Sequence, residues 1–187
     1  MNRFVVISGL PASGKSTVAK VVAQSLGLPL LDKDTYIEAL FQTVGAGNVQ
    51  WRRELSHRAD GEFQESAKKA KRAVLTSWWK HPRSSVISGT PIEWLATLPG
   101  SCVEVHCRCS PVVATERFIA RKRHPGHLDS RWSYPELLAT FTQQASFGPL
   151  GFGRLIEVQT EGTLEVAALL RSLKEAFTES AQIPPAG

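Results

Sequence analysis

The chain has 187 residues, 42% of them apolar and 21% charged, enough for one compact core and too few for two full domains. Its 22 Lys and Arg against 17 Asp and Glu leave a formal charge of +5, too mild for a protein that coats nucleic acid but suited to an anionic ligand. No apolar run approaches the ~18 residues of a membrane span, no charged leader with a cleavage site opens the chain, and Cys102, Cys107 and Cys109 crowd one predicted strand at spacings unsuited to a disulfide framework; a cytoplasmic protein with no membrane attachment is expected.

Short apolar runs alternate with helical patterns and no repeat is visible, which favours an α/β fold with a parallel sheet flanked by helices. Phe4 to Ile7 reads as the first strand, followed by a glycine turn and a helix from about Lys15 to Leu26, stopped by Gly27 with Pro29 beyond. Pro29 to Leu31 is a second strand. After Gly45-Ala46-Gly47, the residues Trp51, Leu55, Ala59, Phe63, Ala67, Ala70, Val74 and Trp78 recur at spacings of three or four and predict one long helix. Ser85 to Ser88, Cys102 to Cys107 and Arg154 to Val158 supply the third, fourth and fifth strands. Ser110-Pro111 starts a helix toward Arg123, Ser133 with Glu136 forms a capping box for another, and Thr163 caps the last. Residues 1–187 form one domain in this reading, with a lid at about 121–133 and a loose tail at about 181–187.

Between the first strand and its helix stands Gly9-Leu10-Pro11-Ala12-Ser13-Gly14-Lys15-Ser16, the G-x-x-x-x-G-K-[ST] pattern in the strand-loop-helix context that gives it meaning. Glycines let successive N–H groups turn inward, and the positive end of the following helix faces the same space. Gly9, Ala12, Ser13, Gly14, Lys15, Ser16 and Thr17 are therefore assigned to ATP; Lys15 reaches the outer phosphates and Ser16 offers its hydroxyl to Mg2+. Asp32 and Asp34 follow the second strand two residues apart, so on an extended chain they share one side and leave Lys33 on the other. A cation between them would relieve their repulsion. Asp34 serves either as a catalytic group or as the N-cap of the helix containing Tyr36 to Phe41. Arg117 and Arg121 lie four apart on a predicted helix, with Arg123 just beyond, and read as the entry to a short arginine-rich lid.

These motifs resemble the P-loop kinases of the small-molecule type, the group that includes shikimate kinase, gluconate kinase and chloramphenicol phosphotransferase. The resemblance runs to about residue 178. It implies an ATP-dependent kinase, a phosphotransferase that moves the γ-phosphoryl group to an alcohol of a small molecule, either a metabolite or an antibiotic. Asp32 then becomes the metal-side acid beside Ser16, and Asp34 the base that takes the acceptor's proton. Lys15 and Arg121 stabilise transferring charge, while Arg117 packs on the base and Thr160 borders it. Gly89 offers backbone N–H groups to the substrate, and Arg58 and Trp51 are placed on the acceptor side, although Trp51 equally suits helix packing. Many P-loop enzymes end the third strand with an acid; here Val86-Ile87-Ser88-Gly89-Thr90 carries none. Two rivals remain: a nucleic-acid end kinase, prompted by pI 9.3 and the basic segments Lys68 to Arg72 and Arg117 to Arg131, and a nucleotide-dependent binding module without chemistry. His124, His127 and Asp129 are read as a lid turn, and His106, Cys107 and Cys109 as a strand, in preference to metal sites. Acceptor identity and oligomeric state are left open.

Overall fold

A computed structural model describes residues 2–45, 47–85 and 88–179. Five strands, all parallel, are ordered β2-β3-β1-β4-β5: β1 (Arg3–Gly9), β2 (Leu30–Asp32), β3 (Arg72–Thr76), β4 (Ser101–Arg108) and β5 (Arg154–Gln159). The helices are α1 (Lys15–Leu26), α2 (Lys33–Val44), α3 (Val49–Lys69), α4 (Pro111–Ala120), α5 (Tyr134–Ala145) and α6 (Val166–Glu179). The predicted parallel sheet with flanking helices is thus present. No helix among the described residues is long and apolar enough to cross a membrane.

Because successive strand residues face opposite sides, β1 splits cleanly. Val5 and Ile7 join Val74, Val103 and Val105 against Val18 and Val22 of α1 and Leu169, Leu173 and Phe177 of α6. Phe4 and Val6 join Ala73 and Leu75 on the other face, against Phe63 and Ala67 of α3 and the Trp79–Trp94 pair. Each face is therefore covered mainly by apolar side chains, as a sheet packed on both sides requires.

One assignment changes substantially. The helix expected to run through Val74 and Trp78 stops at Lys69, and the third strand is Arg72–Thr76, hydrogen-bonded between β2 and β1. Alanine and valine continued the three-four spacing by coincidence, while their alternation lets Val74 face α1 as Ala73 and Leu75 face α3. Of the strand expected at Ser85 to Ser88, residues 86 and 87 lie outside the described residues; Ser85 and Ser88 are not in strands. The tail expected at 181–187 also lies outside them. Smaller corrections concern ends: β2 begins at Leu30, α4 stops at Ala120 short of Arg123, and α6 starts at Val166, three residues beyond the cap expected at Thr163.

One buried polar network locks the C-terminal sheet edge. Glu104 is fully buried, yet its carboxylate accepts the Ser8 hydroxyl and the N–H groups of Leu150, Gly151 and Phe152 at 2.8, 3.0 and 3.2 Å. His106 Nδ1 lies 2.9 Å from the same hydroxyl. Such a carboxylate is tolerable only because several donors are aimed at it.

Candidate active site

β1 lies at the centre of the sheet, and the chain leaving its carboxyl end is the phosphate loop. Gly9 has φ +126°, and a Cβ there would stand 2.6 Å from the Cys107 carbonyl oxygen, so no side chain fits. Gly14 also takes a left-handed conformation (φ 90°) and caps α1. The first N–H groups of α1 have no acceptor within the helix and are directed toward the loop's concave side. Ser13 is fully buried and its hydroxyl has no hydrogen-bond partner. Lys15 folds back, donating to the carbonyls of Gly9 at 3.0 Å and Leu10 at 2.7 Å. Burial lowers its pKa to about 8, against the pull of the Asp34 and Asp32 carboxylates. A cationic group held on carbonyls beside an unpartnered hydroxyl offers donors of the kind that bind phosphate.

The second wall is the end of β2. Asp32 pairs in register with Thr76 and caps α2, its carboxylate accepting the Asp34 N–H at 3.0 Å. The cap is thus Asp32, and Asp34 sits in the first helical turn. Burial first, and then the Asp34 carboxylate, pushes the Asp32 carboxyl up to about 6. Lys33 is not turned away as an extended chain would require, because the helix starts at that residue; its ammonium is buried, 2.7 Å from Asp60 and 2.9 Å from the Ser56 hydroxyl. Burial lowers the Lys33 pKa against the pull of Asp60.

A stability prediction follows from Asp32. Its folded pKa lies above the unfolded value of 3.8, so its favourable contribution is complete below about pH 4 and is lost as pH rises through about 6. Asp32→Asn keeps a capping oxygen and removes the charge. Urea denaturation of the free protein should show the variant more stable at pH 8 by about 1–2 kcal/mol, after discounting for a partly exposed side chain, and unchanged at pH 4. A less stable variant at pH 8 would mean that the carboxylate is already compensated.

The roof comes from the segment after α4. Arg121 caps that helix, its guanidinium 3.9 Å from the centre of the Phe118 ring and 3.1 Å from Asp129. Asp129 also holds Arg123 at 3.3 Å, and Arg123 reaches across to form an ion pair with Asp34. His127 is packed edge-on against Phe41 and lies 2.8 Å from Glu38, and His124 stacks on the same ring. The segment is therefore docked on α2. Arg117 donates to the Glu161 carbonyl at 3.3 Å.

These walls enclose a cavity of about 780 Å³, a size that takes a nucleotide and a small second ligand. Ala12, Gly14, Lys15, Ser16, Thr17, Asp32, Asp34, Gly89, Arg117 and Arg121 all line it. Thr160 packs over Gly14, its Cβ 3.4 Å from where a Cβ of that glycine would stand. Trp51 instead stacks on Phe41, and Arg58 forms an exposed ion pair with Glu62 at 3.2 Å; neither lines the cavity. From the same helix Arg52, Ser56 and Asp60 do. Their four-residue spacing was a readable polar stripe beside the apolar one. At the true end of β3 stand Thr76 and Ser77, so no acid occupies that place either; Ser77 bonds the Thr90 hydroxyl. Among the described residues no three His, Cys, Asp or Glu side chains group as a metal cage. One hydroxyl with one or two carboxylates still fits magnesium, which keeps most of its water, and burial with the neighbouring Asp34 carboxylate makes Asp32 a group that a cation would relieve.

Comparison with known proteins agrees with this geometry. A family model described as an AAA domain matches residues 5–133. No curated protein matches the chain in sequence. Solved structures share the fold: a provisionally assigned kinase from Chloroflexus aurantiacus superposes with TM-score 0.77 at 23% identity, covering 93% of this chain and 97% of its own. Shikimate kinase from Bacteroides thetaiotaomicron gives 0.56 at 21%, covering 92% and 96%, and a gluconokinase from Sinorhizobium meliloti 0.52 at 19%, covering 97% and 93%. The architecture is thus that of the P-loop kinases.

Proposed function

The chain belongs to the AAA domain family, and on that premise we propose that it is an ATP-dependent kinase that transfers the γ-phosphoryl group to a hydroxyl of a small molecule. One observation carries the reading. A phosphate loop and a carboxylate two residues past β2, Asp34, line the same cleft, roofed by arginines. The kinase neighbours in fold support it.

ATP would lie with its phosphates in the Gly9–Ser16 loop, and Lys15 would exchange its two carbonyl partners for phosphate oxygens. Ser16 and Asp32 would hold magnesium, which would supply positive charge to offset that of the phosphates. Arg121 faces the same space from the roof and would neutralise charge on the transferring group, while Arg117, on α4, would pack on the base. Asp34 accepts the proton of the acceptor hydroxyl as its oxygen bonds to phosphorus and the bond to the departing ADP oxygen breaks. The Arg123–Asp34 ion pair must open first. The roof excludes water, the competing acceptor. The basic run from Lys68 to Arg72 lies away from the cavity on exposed surface, whereas the second basic segment enters the cavity through Arg117, Arg121, Arg123 and Arg131.

The test is a screen of small alcohols with γ-labelled ATP and magnesium. Acceptor-dependent label transfer, insensitive to added oligonucleotide, is expected. Tight ATP binding with no transfer to any acceptor would favour a binding module.

A further inference from the structure

A second cavity, of about 450 Å³, lies beside the phosphate loop against Gly9 and Leu10, and the proposed reaction does not use it. Its floor is the carboxyl end of the sheet, on the face that carries Phe4 and Val6, where Ser8, His106 and Glu157 stand level on β1, β4 and β5. Trp78, Ser84, Ser88, Gln144 and Phe147 line both cavities and partition them, whereas Lys15, Asp32 and Asp34 line only the first. Lys80 and Arg108 in the second cavity are matched by Glu157 and Glu161, so it lacks the positive surplus that a phosphorylated ligand needs.

The protons on the floor can be traced. The Ser8 hydroxyl has one, and donates it at 2.5 Å to Glu104, a carboxylate with none to return. The 2.9 Å contact between Ser8 Oγ and His106 Nδ1 is therefore donated by Nδ1–H. Burial lowers the His106 pKa against the pull of Glu104 and Glu157, so the ring is neutral and its Nε2 carries a lone pair. No hydrogen bond among the described residues reaches that nitrogen. Beside it on β5, one strand spacing of about 4.8 Å away, Glu157 makes a single long contact, from Oε2 to Arg108 at 3.5 Å. Two acceptors thus stand side by side with almost nothing to accept. The walls are flat and already satisfied. His81 stacks on Phe147 with ring centres 5.1 Å apart and uses both nitrogens, on the Arg83 N–H and the Pro149 carbonyl, and Trp79 donates its N–H to the Ile7 carbonyl at 2.8 Å.

We infer that this cavity is a second ligand site, for an uncharged flat nitrogen heterocycle with an exocyclic amino group, of the adenine or cytosine kind. The two amino N–H bonds are directed to His106 Nε2 and Glu157, and the ring lies among His81, Phe147 and Trp78. A ring that offers only carbonyl or bare nitrogen edges would set lone pairs against lone pairs there, and an anion would meet Glu157 and Glu161. The occupant is neither the phosphoryl donor nor the acceptor, and the inference stands apart from the kinase reading. It would rest against Gly9 and Leu10, whose carbonyls hold Lys15 in the free protein.

The test titrates full-length protein, with and without a saturating non-hydrolysable ATP analogue in the phosphate loop, with adenine and cytosine and with their amino-free counterparts purine and pyrimidinone. Binding is read by calorimetry for the wild type, His106→Phe and Glu157→Gln, with circular dichroism as the fold control, and the histidine tautomers by long-range proton–nitrogen spectra. His106 is expected as the Nδ1–H tautomer, with its Nε2 resonance shifting as an amino-bearing base binds. The amino-free counterparts should bind about 10-fold more weakly, His106→Phe should cost a similar factor, and Glu157→Gln about 3- to 10-fold. An Nε2–H tautomer, equal binding of the amino-free rings, no binding of either base, or displacement of the base by the ATP analogue overturns the inference. Glu157 stands on an edge strand with its side chain 42% exposed, so indifference to Glu157→Gln overturns it even where His106→Phe fails to fold. Failure of the ATP analogue itself to bind overturns the kinase reading instead.

Discussion

Lys15→Ala should lower ATP affinity and turnover together, with kcat/KM down by about 10³-fold or more, some 4 kcal/mol of lost charge stabilisation. The ammonium is buried and donates to the carbonyls of Gly9 and Leu10. In the variant those carbonyls lose a donor, so the loop relaxes as well as losing charge. Fluorescent-nucleotide titration alongside steady-state assay separates the two quantities. ATP binding within threefold of wild type would remove the phosphate assignment from this loop. Because burial holds the Lys15 pKa at about 8, the charged form is depleted above that pH in the free protein. Binding of ATP should therefore draw a proton from solution at pH 8–9 and draw almost none at pH 6.

Asp34→Asn carries the second large effect: transfer slowed about 10²- to 10⁴-fold with ATP affinity nearly unchanged. The amide retains shape and hydrogen bonding but cannot accept the hydroxyl proton. It also weakens the ion pair to Arg123, so Arg123→Ala is the necessary companion, since it frees the roof while leaving the carboxylate in place. Loss of transfer in Asp34→Asn but not to the same degree in Arg123→Ala would identify proton transfer. Equal losses would instead make Asp34 a latch for the roof, and an active Asp34→Asn would exclude it from the chemistry.

The stability ranking expected of Asp32 fits the same picture. Two carboxylates near one another, one of them desolvated enough to titrate at about 6, store free energy that a bound cation releases. A site built for a charged ligand is strained without it, and substitutions that relax the strain stabilise the fold at the cost of binding.

Local sequence determined what local physics can determine. The loop Gly9–Ser16 is contiguous, and its glycines, lysine and following helix dictate a phosphate cradle wherever the chain places it; α1 begins at Lys15 and ends at Gly27 as its signals require. The strand-helix alternation gave the parallel sheet, since runs of Val, Ile and Leu must be covered on both faces. What remained open depended on residues distant in the chain. Whether Ala70 to Thr76 was helix or strand turned on a place in the sheet between β2 and β1, which no spacing within the segment records. The cap of α2 went to Asp32 because the helix starts one residue after the strand ends, leaving no extended stretch for alternation to act on. The pairing of Arg123 with Asp34, 89 residues apart, the burial of Lys33 with Asp60, and the entry of Arg52 and Arg53, but not Arg58, into the cavity were decided by packing of α2, α3 and the roof. A motif can state its chemistry through neighbours in the chain, but charge balance in a cavity is a property of the groups that folding brings face to face.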